Sequence, residues 1–146
     1  MADTEITELE TEEEWLSAFP VMKQLRPHLD ESSYLEYRTQ LRDDGYTLFA
    51  LSIDDEIVSL AGVAVDTNMY YGQHVWVYEL ITDAAHRSQG YGADLLAHVE
   101  EWGRDRECRL VALSSGVQRT DAHRFYENQE MDRVSHVFTR ELDREE

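Results

Sequence analysis

Tyr78–Trp102, YELITDAAHRSQGYGADLLAHVEEW, is the stretch on which the fold turns. It is entered from an apolar run, Val75 to Ile81, whose Val and aromatic residues suit a buried strand. Thr82-Asp83 stops that run, and a polar turn follows through Ser88. Beyond Gly90 and Gly92, Leu95, Leu96, Val99 and Trp102 recur at helical spacing. Strand, glycine turn and helix thus follow one another within one short unit. Such a turn leaves the first amides of the helix without internal acceptors, and the helix dipole adds partial positive charge there. Glycines at 90 and 92 remove Cβ atoms that would hold a ligand's phosphates away from those amides. The pattern predicts a phosphate cradle.

The kind of phosphate is narrowed by two missing motifs. GxxxxGK[ST] is absent, because the only lysine is Lys23, and GxGxxG fails because Ala93 to Leu96 supplies no third glycine. What remains, Arg87-Ser88-Gln89-Gly90-Tyr91-Gly92-Ala93, resembles the [QR]xxGx[GA] signature of the GNAT superfamily of acyl-CoA-dependent N-acetyltransferases. In that family the loop amides hold the coenzyme A pyrophosphate. The resemblance implies that Ser88, Gln89, Gly90, Tyr91, Gly92 and Ala93 supply amides, with Arg87 adding charge nearby. It also implies that the backbone edges of Leu80, Ile81 and Thr82 pair with the pantetheine amides. A glycine-rich turn with no ligand is the plainer alternative.

At 146 residues the chain is expected to be one domain, 1–146, with 42% hydrophobic residues to fill its core. Acidic residues number 31 against 13 basic, a formal charge of −18. Such a surface repels nucleic acid and anionic membranes and attracts cationic amines. With a single lysine, it also looks like the acidic coat of proteins from salt-in halophiles, where concentrated salt screens self-repulsion; an ordinary acidic bacterial protein is the plainer alternative. Cys108 is the only cysteine, so neither an internal disulfide nor a cysteine zinc site is possible. The histidines show no HExxH or other ligand spacing, and no metal is expected. No apolar stretch reaches the ~18 residues of a membrane span. The opening MADTEITELETEEE is acidic where a signal peptide would be basic, so a cytoplasmic location is expected.

The remaining elements fall in order along the chain. Ile6 and Leu9 suggest a short strand, and Thr11 with Glu14 forms a capping box before a helix that Pro20 is expected to kink or interrupt. A second helix is predicted from near Asp30 to Asp43-Asp44-Gly45, with Tyr34, Tyr37 and Leu41 inward. Tyr46–Ile53 and Ile57–Val65 read as strands around an Asp54-Asp55 hairpin, with Gly62 marking a bulge or a close backbone approach. Asp66–Gln73 reads as a polar loop, Arg109–Ser114 as a strand, and Thr120 or Asp121 as the cap of a helix through Tyr126. Val134–Leu142 alternates enough for a last strand or two. This order resembles the GNAT layout over nearly the whole chain. It implies an α+β fold in α/β/α layers, a mixed, strongly twisted central sheet with helices on both faces. In the family two central strands splay apart for the pantetheine arm; here they would be Val75–Ile81 and Arg109–Ser114.

Amine acylation needs a neutral amine, a donor to the carbonyl oxygen as charge develops there, and protonation of the departing thiolate. A tyrosine of pKa ~10 stays protonated at neutral pH and suits the last task. Ala122-His123-Arg124-Phe125-Tyr126-Glu127 resembles the family's AxxxYE helix, whose tyrosine donates to the coenzyme sulfur, making Tyr126 the catalytic candidate. Two departures accompany it: Arg119 replaces a common asparagine, and Glu130-Met131 a Gly-Phe. Arg119 is a candidate partner for the coenzyme's phosphates. Glu79 shares a strand face with Val77 and Ile81, an odd place for a charge unless that face lines a cleft. In the family an acidic residue there serves as a water-mediated base or as a structural partner. His123 reads as a packing histidine. Tyr34, Tyr37, Tyr70 and Tyr71 either frame an acceptor pocket or pack in the core.

Together these features imply transfer of an acetyl group from acetyl-CoA to a primary amine, of a small molecule or a peptide, by direct attack in a ternary complex. The alternatives are a non-catalytic acyl-CoA-binding module and an unrelated nucleotide-binding protein. The expected assembly is a monomer or a homodimer.

Overall fold

The structure, a computed structural model, describes residues 3–142. They fall into two compact units, one ending at Leu113 and the other beginning at Ser114. The first unit runs β1 (Thr4–Leu9), α1 (Glu12–Leu25), α2 (Glu31–Asp43), β2 (Thr47–Ile53), β3 (Glu56–Asn68), β4 (Gly72–Thr82), α3 (Tyr91–Asp105) and β5 (Val111–Leu113). Its five strands form one mixed sheet in the order β1-β2-β3-β4-β5. The first three pairings are antiparallel, and β4–β5 is parallel.

Period-two alternation sends neighbouring residues of each strand to opposite faces. On β2, Leu48 and Ala50 pack with Trp15, Val21, Met22 and Tyr34, whereas Phe49 and Leu51 pack with Leu95 and Val99. Helices α1 and α2 therefore cover one face of the sheet and α3 the other. Leu48, Leu60 and Leu95 are fully buried. Each such leucine contributes about 1.5–3 kcal/mol of transfer free energy.

Local chemistry sets the ends of the elements. Thr11 accepts from the Glu14 amide while Glu14 reaches back to the Thr11 amide, as the capping box predicts. Helix α1 nevertheless continues through Pro20, contrary to an interruption there. Ala18, Val21 and Met22 lie buried on both sides of the proline, and their packing offsets the lost ladder bond. Asp54 and Asp55 have φ of 48° and 71°, the double left-handed turn that matches strand twist in a two-residue hairpin.

Asp66–Gln73 is not a loop. β3 and β4 stay in register out to Asn68↔Gly72, and only Met69, Tyr70 and Tyr71 turn. The Asn68 side chain accepts from the amides of Tyr70 and Tyr71, closing the turn locally.

In the second unit, α4 (Thr120–Asn128) starts after Arg119, with no side-chain cap from Thr120 or Asp121. Val134–Leu142 forms no strand, correcting that expectation. Val134, Val137, Phe138 and Leu142 are all exposed, and alternation without a buried face does not specify a strand register.

Candidate active site

β4 outruns its parallel neighbour. Pairing with β5 ends at Val77↔Leu113, while β4 continues to Thr82. The Ile81 carbonyl accepts from the Ser59 hydroxyl at 3.0 Å, and the Asp83 amide donates to the Val58 carbonyl at 2.7 Å. Residues 81 and 83 thus turn their backbone toward β3. By alternation the N–H and C=O groups of Leu80 and Thr82 lie on the opposite edge, which β5 does not reach and where the Thr82 carbonyl accepts from Arg87. The expected strand Arg109–Ser114 narrows to Val111–Leu113, and this short pairing is what leaves that edge open.

The loop beyond β4 is held from the α1 side. Gln24 donates to Asp83 Oδ1 at 2.5 Å and accepts from the Ala84 amide at 2.9 Å. The hydrogen bond from Gln24, then that from His86, keeps the Asp83 carboxyl below its ordinary range. The chain next turns through Ser88 at φ 64° and Gly90 at φ 87°. Gly90 caps α3 with no side-chain bond, and the first helical bond runs from the Asp94 amide to the Gly90 carbonyl. The amides of Ser88, Gln89, Gly90, Tyr91, Gly92 and Ala93 meet no acceptor among the described residues. Ser88, Gln89 and Gly90 are exposed, and Tyr91, Gly92 and Ala93 half-buried. A Cβ at Gly90 would point into open space, so the left-handed backbone is what selects glycine there. Arg87 is exposed and its Nε donates to the Thr82 carbonyl at 3.3 Å. Unpartnered amides at a helix N-terminus fit a diphosphate.

Glu79 sits in a small charged cluster. Tyr46 Oη donates to Glu79 Oε1 at 2.5 Å. Arg26 donates to Oε2 through Nε at 3.3 Å and Nη2 at 3.1 Å, and Nη2 also reaches the Tyr78 carbonyl. The register of β3 against β4 slips between Gly62 and Val63, leaving Tyr78 as the extra residue beside Glu79. Burial first, and then the Glu79 carboxylate, pushes the Tyr46 phenol well above its ordinary range. Tyr34 is pushed up for the same two reasons. The cluster opens on a cavity of about 320 Å³ lined by Trp15, Met22, Arg26, His28, Leu29, Tyr34, Tyr37, Leu41, Tyr46, Tyr78 and Glu79. Tyr34 and Tyr37 are therefore pocket residues. Tyr70 and Tyr71 are not: they lie together at the β3–β4 turn, ring centroids 4.8 Å apart.

In the second unit Tyr126 lies on α4, its ring edge-on to Phe125. Burial raises its phenol pKa, and the Arg119 guanidinium beside it opposes that shift. Arg119 thus stands with Tyr126. His123 Nε2 lies 2.8 Å from the Gly116 carbonyl and ties α4 to its preceding loop. Cys108 is half-buried, its thiol pushed up by burial. Among the described residues, no group of three or more His, Cys, Asp and Glu side chains is placed to hold a metal ion. No helix among them is long and apolar enough to cross a membrane.

Sequence reasoning missed Arg26, Gln24 and Tyr46. Gly62 was the one available signal, since a glycine inside a strand marks a close approach. The approaching group is the Tyr46 hydroxyl, 1.7 Å from where a Cβ would stand.

Comparison with known proteins fits this geometry. The model of the Acetyltransferase (GNAT) family matches residues 9–131. An uncharacterized N-acetyltransferase of Bacillus subtilis (strain 168), YhdJ, is 40% identical over 120 residues, 82% of this chain and 84% of the relative. The aminoalkylphosphonate N-acetyltransferase of Salmonella typhimurium is 32% identical over 72 residues, 49% of this chain and 47% of the relative. Among solved structures, aminoglycoside N-acetyltransferase AAC(6')-Iy in complex with CoA superposes with a TM-score of 0.86 at 17% identity, covering 97% and 96% of the two chains. The chain belongs to the GNAT family of acetyl-CoA-dependent N-acetyltransferases.

Proposed function

We propose that residues 1–146 act as one domain that transfers the acetyl group of acetyl-CoA to a primary amine by direct attack in a ternary complex. The acceptor is an amine of a small molecule or a peptide. The observation that carries this is the row of unpartnered amides from Ser88 to Ala93 beside the open edge of β4. In this reading those amides and Arg87 receive the diphosphate, and the Leu80 backbone groups and the Thr82 amide receive the pantetheine amides, the Thr82 carbonyl being held by Arg87. Each charge-assisted hydrogen bond contributes about 1.5–3 kcal/mol, enough in sum to hold an anion on an acidic protein. Ile81 supports that edge by pairing with β3 and by burying its side chain.

Acetyl-CoA supplies an activated thioester carbonyl. Tyr126, kept protonated by burial, donates its proton to the departing sulfur, and Arg119, which stands beside the phenol, is the candidate partner for the coenzyme's phosphates. Glu79 takes the amine proton through water. Its carboxylate has about four acceptor sites, and Tyr46 and Arg26 occupy three, leaving one on Oε1. The protein works in the cytoplasm, as a monomer or homodimer, without nucleic acid or membrane partners. Its charge of −18 is an adaptation to concentrated salt.

Saturable thiol release from acetyl-CoA in the presence of amines tests the activity, and binding without turnover would leave an acyl-CoA sensor instead. Competition by free coenzyme A but not by ATP or NAD is expected. Gly90→Asp should abolish coenzyme binding with the fold intact, because its carboxylate occupies the cradle; retained affinity would make the turn merely structural.

A further inference from the structure

The cavity beside Glu79 carries information about the acceptor. Its walls include five aromatic side chains: Trp15, Tyr34, Tyr37, Tyr46 and Tyr78. Three of the rings lie in one tilted row, Trp15–Tyr46 at 5.7 Å and Tyr46–Tyr78 at 5.5 Å between centroids. At about 320 Å³ the space lies near the lower end of small-molecule sites, which run to ~1,000 Å³. Part of its polar capacity is already used. The Tyr34 hydroxyl donates to the Trp15 carbonyl at 2.7 Å and the Tyr46 hydroxyl to Glu79.

Charge is the second constraint. Among the described residues Glu79 is the only carboxylate in the lining, and the Arg26 guanidinium neutralises it at 3.1 Å. Beyond the lining, the carboxylates of Asp66 and Asp44 reach the Tyr78 phenol electrostatically, so the negative charge lies outside the Tyr78 wall rather than inside the cavity. A second or third ammonium held inside this lining would lose its hydration with no unpaired carboxylate among the described lining residues. An aryl ring would instead meet edges and faces suited to offset or edge-on contact.

We propose that the acceptor is a monoamine carried on an aryl body, of the arylalkylamine type, rather than a polyamine or an aminoglycoside. This rests on the acetyltransferase assignment and adds the substrate class. Tyr37, half exposed, and Tyr78 meet solvent together with the exposed His28, and the two tyrosines would close against the ring.

Initial rates of thiol release with phenethylamine, tyramine, butylamine, spermidine and kanamycin test it. The two aryl amines should exceed the other three in kcat/KM by about tenfold or more. Tyr37→Ala, a change at an exposed position, should raise KM for phenethylamine at least about threefold more than KM for butylamine. A preference for spermidine or kanamycin would overturn the proposal, as would equal effects of Tyr37→Ala on both amines. Absence of turnover with the aryl amines, while calorimetry still records coenzyme A binding, would overturn the substrate class alone. Loss of coenzyme binding as well would remove the acetyltransferase mechanism with it.

Discussion

The Tyr46 hydroxyl reaches Glu79 by crossing the space that Gly62 leaves empty. An added Cβ at 62 would stand 1.7 Å from Tyr46 Oη and 2.8 Å from Glu79 Oε1. Gly62→Ala should therefore expel the Tyr46 ring from its site. Overpacking of this kind costs about 1–3 kcal/mol. Chemical denaturation should register that loss, with a fall in kcat as Glu79 loses its donor. An unchanged unfolding midpoint would mean the two side chains separate at no cost.

Tyr46 also ties stability to alkaline pH. Burial and Glu79 raise its folded pKa above the unfolded value of ~10, so above that pH the unfolded chain releases a proton that the folded chain keeps. Its contribution is complete below pH ~10 and declines by up to about 1.4 kcal/mol per pH unit as pH rises beyond it. Tm measured from pH 9 to 11 should fall, and fall less steeply in Tyr46→Phe. Parallel curves would contradict the assignment.

Tyr126→Phe keeps the ring and removes the proton. A drop in kcat of ~10²–10⁴ is expected, with coenzyme affinity nearly intact. Unchanged turnover would take Tyr126 out of the mechanism.

Sequence periodicity and turn chemistry made the first unit legible. Thr11 with Glu14, Asp54-Asp55 and the run into Gly90 are local signals, and each lies where those rules put it. The Glu79 cluster was not legible, because Arg26 and Tyr46 meet Glu79 from 53 and 33 residues away. Alternation misled at Val134–Leu142, where no buried face selects a register. Pro20 does not interrupt α1, because a local cost was outweighed by the packing of Ala18, Val21 and Met22.

A formal charge of −18 predicts its own remedy. The screening length falls from ~10 Å at 0.1 M salt to ~3 Å at 1 M. Tm should climb continuously across that range in potassium chloride, and the protein should lose stability below molar salt. A flat profile would separate the acidic surface from any adaptation to salt.

Amide NMR of the ¹⁵N-labelled protein titrated with coenzyme A tests the central claim, that the backbone of residues 88–93 receives the diphosphate. The largest shifts should fall on Ser88 to Ala93, with smaller ones at Leu80 and Thr82. Saturable binding that leaves those amides unmoved would contradict the account.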